Sequence, residues 1–355
     1  MARSPRTSAS SPTIFDVAQR AGVSQMTVSR VINGRHNVSA ETRQKVNDII
    51  KALGYAPNPA ARSLAGADRL RVGLLYSNPS AFFLSEFLVG GFSTASRDDV
   101  QLVIEQCEDE GKTDEKILVQ RLLAKEVDGA ILPPPLCESP VVLAAFAEAG
   151  VPLVTIASGH PAPGVMSVGI DDQAAARAMT RHLIALGHRR IGFVKGSPRL
   201  LASAERLAGY EGALAEAGIK PDPALIVEGE FTYRSGLDAA EELLALDERP
   251  SAIFASNDDM AAAAIAVAHG DRLDVPGDLT VVGFDDTGFA TSIWPGLTTI
   301  RQPIGEMAHT ALAMLARQLR NGKGKGRHEP EHRLLDFTLI RRQSDAPPRR
   351  QSRRR

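Results

Sequence analysis

The chain has 355 residues, 43% of them hydrophobic and 23% charged, with a formal net charge of −1 at pH 7. That is more than one compact core usually holds, so several domains are expected. Cys107 and Cys137 are the two cysteines, too few for a disulfide framework or a thiolate zinc site, and a reducing cytoplasmic setting is expected. Residues 1–12 are rich in Ser, Pro and Arg without an apolar segment, and no run of about eighteen apolar residues follows, so neither an export signal nor a membrane anchor is expected.

Residues 13–57 have the pattern of three short helices. Ile14, Val17 and Ala18 recur at helical spacing, Gly22 supplies a permissive turn, and Ser24 is placed to cap a second helix, which together predict a helix-turn-helix. On that second helix Val28, Val31 and Ile32 fall inward, leaving Gln25, Met26, Ser29, Arg30 and Asn33 on or near the other side. Those side chains suit a DNA groove: Gln bonds adenine in bidentate fashion, Arg bonds guanine, and Met26 offers apolar contact to a thymine methyl. A third helix begins near Ser39 as cap, with Glu41 in its first turn and Val46, Ile49 and Leu53 closing a small core. Charge points the same way. Residues 1–66 carry nine basic and three acidic side chains, a net +6 that leaves −7 on the rest. A plain three-helix interaction module is the alternative.

Asn58 to Leu64 follows as a segment with Asn58 as cap and Pro59 at the first helical position. About seven residues make a helix too short to stand alone in water, so it needs a partner to form. Beyond it, strand-like runs at 71–76, 100–105, 129–132, 151–156, 190–194, 224–227, 252–255 and 279–284 alternate with amphipathic stretches at 86–96, 115–125, 174–186, 204–217, 236–246 and 260–268. The βαβ alternation predicts two doubly wound parallel sheets, with ligand contacts beyond the carboxyl ends of the strands. The glycine- and lysine-rich run at 322–326 reads as a loop, and the Arg-rich residues 343–355 read as a disordered basic tail. Neither G-x-S-x-G nor a phosphate loop occurs, and His182 and His188 only flank a helix end. No enzyme activity, metal or cofactor is expected.

The run D-V-A-x-x-A-G-V-S-x-x-T-V-S-R-V-I-N, then V-S-x-x-T-R and N-P-x-A-R-S-L, resembles the LacI/GalR (lactose-repressor) family of bacterial transcription regulators, and the similarity extends from Thr13 to about Arg342. The resemblance implies an α/β protein: a three-helix helix-turn-helix headpiece at 13–57, a hinge helix at 58–66, and at 70–342 a two-lobed periplasmic-binding-protein-like body of doubly wound sheets. It implies that Gln25, Met26 and Arg30 face bases, with Ser24, Thr27, Ser29, Asn33 and Asn37 near phosphates or groove edges. In the hinge it implies Leu64 as a minor-groove wedge, Ala61 beside the groove and Arg62 near phosphate.

For the body, the resemblance implies lobe crossovers near 158–169, 287–301 and 329–335. It implies Arg206, Asn257, Asp285, Phe231 and Gln302 as effector contacts, with the loop from Ser77-Asn78-Pro79 to Phe82-Phe83, Asn78 and Phe82 above all, completing the lobe interface. Each also has a structural reading: Asp285 as a cap, Arg206 as an ion-pair partner, Phe231 as core. Ala157-Ser158 departs from an Asp-Arg pair common in relatives, and the three prolines at 133–135 stiffen a loop. The implied partners are a near-palindromic duplex DNA operator, a second copy of the chain, and a small sugar or glycoside. A nucleobase or nucleoside effector, or a sugar-delivering solute receptor, are the alternatives. No terminal leucine heptad is present, so a homodimer rather than a tetramer is expected.

Overall fold

The computed structural model describes residues 12–32, 38–53, 55, 69–77, 80–106, 114–158, 162–321 and 330–349. These fall into two compact units that divide after Arg69. Asn33, Asn37, Asn78 and the segment 58–66 with Ala61, Arg62 and Leu64 lie outside the described residues.

The first unit contains α1 (Ile14–Ala21), α2 (Gln25–Ile32) and α3 (Ala40–Leu53). Thr13 and Asp16 form a reciprocal capping box at the start of α1, and Gly22 ends it at φ 65°, a left-handed conformation that glycine adopts without a side-chain clash. Ser24 Oγ accepts from the Thr27 amide at 3.1 Å at the start of α2, and Ser39 Oγ accepts from Thr42 at 3.2 Å before α3. Val17, Ala18, Ala21, Val28, Val31 and Val46 form the core, flanked by Ile32, Ile49 and Leu53.

The second unit has two sheets. The first lobe supplies β1 (Leu70–Tyr76), α4 (Ala81–Arg97), β2 (Val100–Gln106), α5 (Glu115–Leu123), β3 (Gly129–Leu132), α6 (Pro140–Glu148), β4 (Leu153–Ile156) and β5 (Met166–Gly169). The second supplies α7 (Asp172–Leu186), β6 (Ile191–Val194), α8 (Leu201–Glu216), β7 (Ile226–Val227), α9 (Tyr233–Leu244), β8 (Ala252–Ala255), α10 (Asp258–Gly270), β9 (Thr280–Asp285), α11 (Gly288–Ser292) and β10 (Thr298–Arg301). The chain then returns to the first lobe with α12 (Ile304–Asn321) and β11 (His332–Leu334), and ends its regular structure in the second with β12 (Thr338–Ile340).

The strand orders are β11-β5-β4-β3-β1-β2 and β12-β10-β9-β8-β6-β7. All pairings in the first sheet are parallel, and in the second β12 alone runs antiparallel, on β10. Strands β3, β4, β6 and β8 are buried along their whole length, as sheets covered by helices on both faces require. Close helix contacts use glycines: Gly90 of α4 faces Gly305 of α12, and Gly209 of α8 faces the Gln173 carbonyl of α7.

Several boundaries differ from the sequence-based expectation. The crossovers fall at 170–171, 302–303 and 335–337, each at or just past the later end of its expected range, because β5, β10 and β11 still belong to the lobe being left. These strands have only three or four residues, too few to show an alternation of their own. The strand expected from 224 starts at Ile226, since Asp222 accepts from the Ala224 amide and draws Pro223–Leu225 into a 3-10 turn. Helix α6 was not anticipated: V-V-L-A-A-F-A-E lacks a polar face, and its start is instead marked by Ser139 as cap and Pro140 in the first turn. Residues 343–349 do not behave as a disordered tail. Ser344 and Asp345 are buried, Ser344 Oγ donates to the Val281 carbonyl at 2.6 Å, and Arg349 pairs with Asp274 and Asp278.

A Cβ at position 209 would collide with the Gln173 backbone oxygen. Gly209→Ala is therefore expected to cost about 1–3 kcal/mol through forced separation of α7 and α8. Urea unfolding of the full chain checks this, and an unchanged midpoint would contradict the packing described.

Candidate functional site

In the first unit, the N-terminal end of α2 is open to solvent. Ser24, Gln25 and Met26 are exposed there, Met26 by 64%, while Thr27 and Ser29 are half-buried on the shoulder of the helix. Ser24 and Thr27 bond each other through their hydroxyls at 2.9 Å, so they shape the helix start. Arg30 lies within α2 one turn further on. Met26 thus presents an apolar side chain to solvent beside the polar Gln25.

In the second unit, a cleft of about 220 Å³ opens between the two sheets. Its walls come from segments that follow strand ends: Ser80 and Phe83 after β1, Pro134 and Pro135 after β3, Ala157 after β4, Ser197, Arg199 and Leu200 after β6, and Phe231 after β7. Asn257 follows β8, Asp285 ends β9 and Gln302 follows β10. Carboxyl ends of parallel strands are where such folds place ligands. The backbone is strained at this point: Ala157, Phe231 and Asp285 have φ of 50°, 60° and 113°, with Asp286 at 59°.

Arg206 sits on α8 and is 4% exposed. Its Nε donates to Asp172 Oδ1 at 2.7 Å and its Nη1 to the Ser256 carbonyl at 2.5 Å, while Asp285 Oδ1 lies 3.9 Å away. The guanidinium packs 3.6 Å from the centroid of the Phe284 ring and 5.6 Å from that of Phe231. Burial raises Asp172, and Arg206 pulls it back toward ionisation. Removing one partner of such a buried pair typically costs about 3–5 kcal/mol. Asp172 is thus part of the site, although only the tertiary fold reveals it.

Asn257 has two structural duties. Its Oδ1 accepts from Met260 N at 2.9 Å, capping α10, and its Nδ2 donates to the Phe231 carbonyl at 2.9 Å. Gln302 Nε2 donates to Asp285 Oδ1 at 2.5 Å, which leaves Gln302 Oε1 buried without a partner. Ser197 Oγ is buried and unpartnered in the same wall. Buried polar atoms of this kind usually have a partner, and both belong to residues that line the cleft. The Phe231 ring lies over Gly196, where a Cβ would overlap it.

Arg206, Asn257, Asp285, Phe231 and Gln302 are therefore brought together. Phe82 is not. Its ring packs on Gly288 and on Phe289 with centroids 4.5 Å apart, outside the cleft, and Phe83 lines the cleft instead. Neighbours on a helix point about 100° apart, so only one of the two can face the ligand space. Sequence reasoning also missed Ser197, Arg199, Glu230 and Thr232 in the lining, none of which has a distinctive spacing. Among the described residues, polar bonds join the lobes around the cleft. Ser80 Oγ donates to Asp259 Oδ2 at 2.8 Å, and Glu138 Oε2 accepts from Leu201 N at 2.8 Å, capping α8 where Leu200 offers no side-chain acceptor. Among the described residues no group of His, Cys, Asp or Glu is placed to hold a metal ion, and no helix is long and apolar enough to cross a membrane.

A helix-turn-helix unit and a two-lobed α/β unit with a polar cleft at its strand ends define a DNA-binding module carried on the same chain as a small-molecule-binding module. A model for bacterial regulatory proteins of the lacI family matches residues 13–58, and one for a periplasmic binding protein-like domain matches residues 180–344. Catabolite control protein A of Priestia megaterium is 37% identical over 309 residues, covering 86% of this chain and 92% of that protein. The complex of the transcriptional regulator CelR with cellobiose superposes with a TM-score of 0.71 at 34% identity, covering 94% of this chain and 99% of that one. The lac repressor dimer bound to operator and the anti-inducer ONPF gives 0.70 at 31%, with the same coverage. The chain belongs to the lacI family of bacterial transcription regulators.

Burial pushes Asp285 up to about 7 from an ordinary 3.8, with Arg206 and the Gln302 amide opposing the shift. Asp258 beneath it is also raised, by burial and by the charge of Asp285. Folding therefore takes up a proton between about pH 4 and 7, and the stabilisation present at low pH is lost as pH rises through about 7. The unfolding free energy of the wild type relative to Asp285→Asn is expected to fall across that window. A difference that stayed level or rose, in urea titrations at stepped pH, would sink the assignment.

Proposed function

We propose that the chain is a homodimeric repressor that reads a near-palindromic operator through α2 and is released from it by a small carbohydrate held between the lobes. The observation that carries this reading is the composition of the cleft. Guanidinium, carboxylate and amide groups converge at strand ends beside the Phe231 ring, with Gln302 Oε1 and Ser197 Oγ unpartnered. Polyols need bidentate polar partners plus an apolar platform, and this wall offers both. The CelR relative is known in complex with cellobiose, which supports a sugar as the class of ligand. The protein acts in the cytoplasm as a binding protein without catalysis.

On the DNA side, Gln25, Met26 and Arg30 read bases, and Ser24, Thr27, Ser29, Asn33 and Asn37 contact phosphates or groove edges. Ala61, Arg62 and Leu64 engage the minor groove. Fluorescence anisotropy of the full chain on duplexes from its own upstream region tests the whole reading. Tight, sequence-selective binding that a sugar weakens is the expected result; no selective binding, or no response to any small molecule, would overturn it. Within that assay Gln25→Ala is expected to cost about 1–3 kcal/mol on the best sequence and to relax preference at one position of each half-site. Equal losses on all sequences would assign Gln25 to the backbone instead.

The dimer is supported by an exposed apolar surface. Trp294 is 78% exposed beside a groove of about 390 Å³ lined by Tyr233, Ala262, Ile265, Phe289 and Ile293. Apolar patches of this kind mark association sites. The lac repressor relative is a dimer on its operator. Trp294→Asp is expected to shift the chain toward monomer in sedimentation velocity and to weaken operator binding with it, because two half-sites must be held together. A variant that stayed dimeric to the same dilution as wild type would remove this surface from the interface.

A further inference from the structure

Helix α8 carries Arg206, yet the chain gives this helix a poor start. The first amides of a helix have no partner within it, and Leu200 at the cap position has no side-chain oxygen to accept from them. Its first turn holds no acidic residue either. Helices α4, α6, α7 and α10 are capped by the residues just before them, Ser80, Ser139, Asp171 and Asn257. Helix α8 takes its acceptor from the other lobe. Glu138 Oε2 accepts from the Leu201 amide at 2.8 Å across 63 positions of sequence, and a carboxylate there also meets the positive end of the helix.

On both sides this bond adjoins the cleft. Glu138 ends the 3-10 turn Leu136–Glu138, which follows Pro134 and Pro135 in the lining, while Ser197, Arg199 and Leu200 line the cleft just before Leu201. Ser203 Oγ donates to the Ser197 carbonyl at 2.7 Å and the Ser203 amide to the Leu200 carbonyl at 3.0 Å, so the lining loop and the first turn of α8 form one piece. Glu138 itself is not among the lining residues. Donor and acceptor belong to different lobes, so the bond holds only in a lobe arrangement like the one seen here. Resting on the reading of this cleft as the effector site, we infer that Glu138 is a positioning residue for the effector: without touching it, the carboxylate seats the first lobe on the start of α8 and so keeps loop 197–200 and Arg206 set for binding. When the bond is lost, part of the population leaves the binding arrangement, and the apparent affinity falls by that fraction.

The test uses the full-length protein, with isothermal titration of cellobiose, lactose, glucose, galactose, ribose, adenosine and guanosine into wild type, Glu138→Ala and Glu138→Gln, and urea unfolding of each. For the compound that binds wild type, Glu138→Ala is expected to bind about tenfold more weakly, the size of effect that loss of a helix cap has on an equilibrium. Glu138→Gln keeps an acceptor oxygen at the same reach without the charge, so it should recover part of the loss. A role confined to capping would lower the urea midpoint of the Ala variant and leave the affinity of the folded protein unchanged. That result, or a Gln variant that binds no better than Ala, overturns the inference and leaves the carbohydrate reading in place. Binding of a nucleoside and of no sugar removes the carbohydrate reading, and the same comparison of variants then decides the inference on the nucleoside. No binding by any of these compounds overturns both.

Discussion

Arg206 and Asp172 meet at 2.7 Å in a place nearly stripped of water, and the cleft is arranged around that contact. An isolated charge there would be far too costly, so each requires the other. The pair also ties α8 to the start of α7, and so joins the segment after the first crossover to the helix that presents Arg206. With the guanidinium held on Asp172 and the Ser256 carbonyl, its face lies against Phe284 and it stands near Asp285. Three aspartates, Asp258, Asp259 and Asp285, crowd this end of the second sheet, and burial raises all three. Arg206 is the positive charge that keeps Asp285 from rising further.

Around this centre, polar bonds between described residues join the lobes. Glu138 crosses to cap α8, the helix that carries Arg206, and Ser80 crosses to Asp259 beside the cap of α10. Phe82 against Gly288 and Phe289 adds an apolar contact between the same lobes. A ligand that favours one lobe arrangement changes the population of that arrangement by its difference in affinity for the two, and a few kcal/mol is enough for a regulatory response. The bonds between the lobes therefore lie on elements that also line the cleft.

Much of this architecture was legible along the chain. The caps at Ser24 and Ser39, the turn at Gly22 and the inward stripe of Val28 and Val31 are local features, and local geometry follows from them directly. The strands at 129–132 and 252–255 were legible because fully buried parallel strands read as uninterrupted apolar runs. The crossovers were placed too early since β5, β10 and β11 are too short to carry a pattern. Phe82 was chosen over Phe83 because adjacent identical residues give no indication of which one faces the cleft. Asp345 was assigned to a tail because its neighbours are arginines, yet it accepts from His182 at 2.9 Å and from Thr298, which no local pattern announces.

The sequence by itself determined that a three-helix DNA-reading motif precedes two α/β lobes, and its family resemblance pointed to Arg206, Asn257, Asp285, Phe231 and Gln302. Capping, helical periodicity and strand burial act over a few residues, so they are written locally. Only the tertiary structure decided what those residues are free to do. Arg206 is held by Asp172, 34 positions away, and Asn257 caps a helix. Among the described residues that line the cleft, the buried side-chain atoms without a hydrogen-bond partner are Gln302 Oε1 and Ser197 Oγ. Whether a polar atom is left for a ligand depends on partners that folding brings from distant parts of the chain.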